Sequence, residues 1–266
     1  MTEIAIKATE LLNGGDVKVV IGYQSGSADK IRPAIITDAS KADKLIFDDR
    51  CIQNLAVYLT KKEIVKMGKA AIFATLPVLR SIMVLISENQ VVFDNIVILG
   101  KTDTTLVQFN SVEELKIFIQ NSVNGNSDED LQKIREILAL STAERFEYWE
   151  TVLSKCIKCY ACRQACPMCY CSRCSTDCNQ PQWVPVKSTT HGNMDWHMLR
   201  AMHLVGRCVG CGECSRACPV GIPCHLLTVF LSEKTFEHFN SVAGTTDSMK
   251  SVMSTFEPND HETFIV

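Results

Sequence analysis

Apolar positions along the first half of the chain follow two periods in turn. Ile4, Ala8, Leu11 and Leu12 recur at helical spacing, and Gly14-Gly15 ends that helix. Residues 17–22 are a short apolar run rich in β-branched side chains, which predicts a buried strand. A second strand is predicted over 33–37, preceded by Arg32, with Pro33 at its first position, where a missing ladder donor is tolerated. Asp38 and Ser40 offer N-caps for a short helical stretch at 41–44. Residues 45–47 are apolar and lead through the acidic turn Asp48-Asp49 to Cys51. Residues 52–67 read as one or two helices, with Ile52, Leu55, Ala56 and Leu59 on one face. A strand at 69–74 is followed by a helix at 76–87, whose Pro77 falls in the first turn, where no amide is needed. Strands are then predicted at 96–99 and 106–109, and Asn110 or Ser111 caps a helix running to 119. Strands alternating with helices predict an α/β layer on a mostly parallel sheet.

The pattern breaks at residues 121–130, a polar, turn-rich stretch that marks a domain boundary. Helices at 131–140 and 142–153 lead into a segment dominated by cysteine. Cys156, Cys159, Cys162 and Cys166-Pro167 form one run, and Cys208, Cys211, Cys214 and Cys218-Pro219 repeat it. Both read C-x2-C-x2-C-x3-C-P, the run of two-cluster bacterial ferredoxins, in which the fourth cysteine serves the other cluster. The spacing therefore predicts two [4Fe–4S] clusters. Cluster A takes Cys156, Cys159, Cys162 and Cys218, and cluster B takes Cys208, Cys211, Cys214 and Cys166. A zinc ribbon also uses paired C-x2-C, but two complete copies with the trailing x3-C-P favour iron–sulfur.

Six of the fourteen cysteines lie outside these runs. Cys169, Cys171, Cys174 and Cys178 crowd the insert that joins the runs, and four thiols so close predict a third iron–sulfur or zinc site. The alternative is that some pack as small hydrophobes. Cys51 is a further candidate ligand for that site, while Cys224 reads as a core residue. His197 and His203 are six apart and do not share the face that a metal pair prefers, so surface or supporting roles are expected. Trp183 and Trp196 read as core or interface anchors. A helix over 194–205 brings the chain back to the second run, and residues 222–231 begin another.

Composition narrows the function classes. A net charge of −3 argues against a nucleic-acid surface. The apolar runs are too short to span a bilayer. Thiols at ferredoxin spacing behind an ordinary N-terminus point to a reducing cytoplasm. Gly22 to Gly26 reads as a turn before it reads as a phosphate cradle, and with no dinucleotide fingerprint a bound FAD has no motif behind it. No nucleophile–base pair stands out, so no catalytic residue is assigned.

Further residues carry a family resemblance. Val19-Val20-Ile21-Gly22-Tyr23, Arg32-Pro33-Ala34, Cys51-Ile52-Gln53-Asn54-Leu55-Ala56 and Ser87-Glu88-Asn89-Gln90 are similar to the N-terminal part of one group of iron–sulfur proteins. That group is related to the beta subunits of deazaflavin-dependent hydrogenases and formate dehydrogenases. It includes dicluster ferredoxin subunits associated with heterodisulfide reductase. Cys156 to Cys174 and Gly206 to Cys214 resemble its dicluster segment, and the resemblance runs over roughly residues 15–235. One position departs: a Lys-Gly-Cys-Asp stretch common in the group is replaced by Phe73-Ala74-Thr75-Leu76-Pro77, so a site built on that cysteine is not implied here.

The resemblance implies an electron-transfer subunit of a multi-subunit oxidoreductase. It would relay single electrons between a flavin or metal-centre partner (flavoprotein, hydrogenase or formate dehydrogenase) and a heterodisulfide-reductase-like partner. The alternative is a flavin-containing subunit acting on a soluble cofactor or substrate. The fold expected is an α/β N-terminal domain over 1–125, then a bacterial-type two-[4Fe–4S] ferredoxin-like domain with helical flanks and a cysteine-rich insert over 126–239. A tail over 240–266 is expected to be disordered or ordered on a partner.

Overall fold

The computed structural model describes residues 2–102, 105–122, 125–177, 180–247 and 252. The chain divides into two compact units, Met1–Val123 with Gly244–Asp247, and Asn124–Ala243 with Ser248–Val266.

The first unit is built on a six-stranded sheet. Its strands are β1 (Val19–Ser25), β2 (Ile31–Ile36), β3 (Leu45–Ile46), β4 (Ala70–Ala74), β5 (Ile96–Lys101) and β6 (Leu106–Phe109). They lie in the order β2-β1-β4-β5-β6, with β3 also paired to β1. β1, β4 and β5 run parallel, whereas β2, β3 and β6 are antiparallel to their neighbours. The sheet is therefore mixed, and the expected mostly parallel sheet is corrected. The reason is connection length. A parallel crossover needs a dozen or more residues, and the links at 26–30 and 102–105 are hairpin-sized. Gly26 N–H donates to Lys30 O at 2.6 Å to close the first. Gly22 is no turn residue either. It lies inside β1, where a Cβ would approach Leu45 Cδ2 to 2.8 Å.

Among the described residues, α1 (Glu3–Asn13), α2 (Lys62–Met67), α3 (Leu76–Ser87) and α4 (Val112–Ser122) accompany the sheet, with 3-10 turns at Ala39–Lys44, Leu55–Tyr58 and Phe93–Asn95. Every residue of β4 is buried, as its unbroken apolar sequence requires of a strand covered on both faces. Ala8 and Leu11 of α1 pack with Val20, Phe73 and Leu99 on one face. Each large side chain buried in full there contributes about 1.5–3 kcal/mol. The Gln53-Asn54 segment is a lock between strands and helix. Tyr23 Oη donates to Gln53 O at 2.7 Å, Gln53 Nε2 donates to Ile31 O at 2.7 Å, and Asn54 Nδ2 donates to the buried Ser81 Oγ at 2.8 Å.

The second unit is helical: α5 (Asp128–Leu138), α6 (Thr142–Ser154), α7 (Ala161–Gln164), α8 (Thr190–Met202), α9 (Glu213–Arg216) and α10 (Cys224–Phe239). Ser127 caps α5, and a reciprocal Ser141–Glu144 capping box starts α6. α6 packs on α8, α10 packs on α5, α8 and α9, and α7 packs on α9. The core of this unit contains cysteine: Cys162, Cys214 and Cys224 are buried with Leu153, Trp196 and Ile222. Among the described residues no helix is long and apolar enough to cross a membrane.

Candidate functional site

The two cysteine runs adopt one backbone from different residues. In the second, Gly210 and Gly212 both have φ +71°. In the first, the same two places are held by Lys158 at φ 53° and Tyr160 at φ 60°. Left-handed residues placed alternately in a tight loop turn successive amides toward one centre, an arrangement that cradles anions and iron–sulfur groups. Glycine adopts it freely; an ordinary residue pays about 1–2 kcal/mol. Lys158 and Tyr160 are pinned by their own side chains. Lys158 Nζ donates to Pro185 O at 2.6 Å and to Gly192 O at 3.0 Å. The Tyr160 ring meets Trp196 edge-on at 5.5 Å.

Beyond the loops the correspondence continues. Tyr160 O accepts from Arg163 and Gln164 N–H, as Gly212 O does from Ser215 and Arg216 N–H. α7 and α9 follow, and each delivers a fourth cysteine just before a proline. Within the runs, Cys156 Sγ accepts Lys158 N–H at 3.4 Å and Cys218 Sγ accepts Ile222 N–H at 3.3 Å. Such donors tune a thiolate toward ligation.

Electrostatic interactions among the thiols reach across the two runs as well as within them. Cys156 carries a thiol pushed up by burial, and the charges bearing on it include Cys162, Cys159 and Cys218. Cys208 is among the charges felt by Cys166, whose thiol is raised first by its hydrogen bond with Cys169. Cys214, pushed up to about 12 by burial, feels Cys208 and Cys211. Cys162 is lowered to about 7 by the hydrogen bond from Cys224, which brings a residue read as core packing against a candidate ligand. Among the described residues no three metal-binding side chains converge on a single ion. A cube does not require that, since each of its irons takes one thiolate.

The insert is tied down by polar side chains. Asp177 receives Trp196 Nε1–H at 2.6 Å and pairs with Arg163 Nη1 at 2.8 Å, while Arg163 Nη2 donates to Cys171 O at 2.8 Å. Cys169, Cys171 and Cys174 border a cavity of about 60 Å³ shared with Arg200 and Arg207. The Cys169 thiol is lowered to about 6, first by its hydrogen bond with Cys166. Cys178 lies outside the described residues. Cys51 belongs to the first unit, where its buried thiol donates to Ile46 O and accepts Asp48 N–H at 3.4 Å.

Two groups escaped the sequence reading. α8 buries Asn193, Trp196, His197 and Arg200, so of the surface or supporting roles expected for His197 the surface one is removed, and Arg200 is a buried cation. The i, i+4 relation of Arg200 to Trp196 on that helix was the available signal. Ser215 Oγ, His225 and Asp130 also line up, with 2.6 Å from Ser215 Oγ to His225 Nδ1 and 2.8 Å from His225 Nε2 to Asp130 Oδ1. Ser215 Oγ also accepts His225 N–H at 3.0 Å, so this chain ties α5, α9 and α10 together.

An α/β unit followed in one chain by a helical unit with twinned cysteine loops is the class of molecule in view. The chain is related to the beta subunits of F420-dependent formate dehydrogenases. Over 78 residues, 29% of this chain, it is 36% identical to the F420-dependent formate dehydrogenase subunit beta of Methanocaldococcus jannaschii. That match spans 20% of the relative's own length. No family model matches the chain.

Proposed function

We propose that the chain is the electron-transfer subunit of a cytoplasmic oxidoreductase complex, holding two [4Fe–4S] clusters. Cys156, Cys159, Cys162 and Cys218 would hold one, and Cys208, Cys211, Cys214 and Cys166 the other. When bound, the clusters supply one-electron carriers. The protein supplies the left-handed loops that aim amides inward, the amide donors to Cys156 and Cys218, and burial that limits water around Cys162 and Cys214. The observation that carries the reading is the shared backbone of the two loops, each with two left-handed residues followed by a short helix that leads to a Cys-Pro pair. The partners would be a flavoprotein, hydrogenase or formate dehydrogenase on one side and a heterodisulfide-reductase-like protein on the other. Iron and sulfide analysis of anaerobically purified protein tests it: at least about eight irons per chain are expected, and about four after full reconstitution would refute it.

The F420 dependence named for the relative favours a second reading, a subunit that carries its own flavin and acts on a soluble cofactor. A flavin absorption spectrum on the purified chain separates the two.

Cys169, Cys171 and Cys174, with Cys178, are proposed as ligands of a third iron–sulfur or zinc site. Changing Cys171 and Cys174 together to Ser should then remove iron beyond eight, or zinc. Unchanged metal content would leave them as packing residues.

A further inference from the structure

Arg200 is a cation placed among sulfurs. It stands on the inward side of α8 and is only 6% exposed. Its Nη2 donates to Cys162 O at 3.1 Å, and its fully buried Nε has no acceptor among the described residues. Its side chain borders the same small cavity as Cys169 and Cys174. A guanidinium stays charged at any working pH, and the groups that face this one are the Cys162 carbonyl and the thiols bordering the cavity.

Burying a guanidinium is costly unless negative charge answers it. Cysteines of both ligand sets pack against α8: Cys162 of the first and Cys214 of the second share a buried cluster with Trp196, one turn from Arg200. We propose that Arg200 is the shared counter-charge of the two cysteine sets and that its fixed charge favours the reduced state of the clusters they hold. This rests on the two-cluster reading. A cube with four thiolates is already an anion, and taking up one electron adds a further negative charge. A nearby cation in a weakly screened interior stabilises the more negative state. Arg200 is thus a positioning residue for charge, with no bond to iron.

The test is a redox titration of the full chain, followed by electron paramagnetic resonance with dithionite as reductant, after iron content has been measured. In Arg200→Gln and Arg200→Met the reduction equilibrium constant of both clusters should fall at least tenfold, about 59 mV for a one-electron couple. Arg200→Lys should restore it. Neutral variants that keep their iron with unchanged potentials overturn the proposal. If the neutral variants lose iron, Arg200→Lys decides: full iron in the lysine variant supports a charge role, and loss there too shows that packing alone matters and overturns it. Native protein short of two clusters' iron removes the underlying reading instead, and is seen before any potential is measured.

Discussion

The two cysteine loops reach the same backbone by opposite means. The second uses Gly210 and Gly212, which take positive φ without strain. The first uses Lys158 and Tyr160 and offsets the strain with side-chain anchors on Pro185, Gly192 and Trp196. A loop shaped by glycine carries its conformation in itself. A loop shaped by anchors depends on the helix it is anchored to, here α8. The first loop is therefore expected to be the conditional one and the second the autonomous one.

The harshest test removes the exchange between the loops. Cys166→Ala should lower iron by about half, with cluster A's own loop thiolates intact; full iron in this variant would break the assignment of ligands across the two runs. Next comes Lys158→Met, which keeps the length of the side chain and removes two charge-assisted hydrogen bonds. A loss of about 3 kcal/mol in unfolding free energy is expected by chemical denaturation, and no loss would show that the first loop needs no anchor.

Acid should separate the loops as well. His197 on α8 is lowered from 6.5 to about 4, first by burial and then by the positive charges of Arg200 and Lys158. Its folded value lies below its unfolded one, so the unfolded chain binds more protons between those limits, and stability falls as pH drops below 6.5. The loss should reach roughly 2 kcal/mol by pH 5, and His197→Gln should flatten it. Amide exchange on the acid side should rise at 156–162 before 208–214. The smallest expected effect is Gly210→Ala, at about 1–2 kcal/mol for the left-handed backbone, with the new Cβ 3.1 Å from Asn126 Oδ1. Melting temperature reads it, and a neutral result would make the second loop as adaptable as the first.

This contrast also marks what the sequence could and could not tell. Cysteine spacing is a local code, and the β-branched runs that became β1 and β5 were equally plain. Strand direction was not, because it depended on recognising residues 26–30 and 102–105 as hairpin links. The left-handed pair in the first loop was hidden because Lys and Tyr seldom take that conformation. Laying the two runs side by side would have exposed it, since Lys158 falls on Gly210 and Tyr160 on Gly212. Arg200 was passed over for a different reason: an arginine on an amphipathic helix is usually solvated, and that expectation outweighed its place on the same face as Trp196.

The edge of the sheet in the first unit has a consequence for how the protein lives with copies of itself. β2 is the terminal strand, and it presents an exposed Ile35 that would welcome a neighbour. Pro33 sits two residues before it, without an amide to offer, and exposed Arg32 stands beside it. A strand from another molecule would find the ladder interrupted and a charge in the way, so end-to-end growth of the sheet is discouraged on that side.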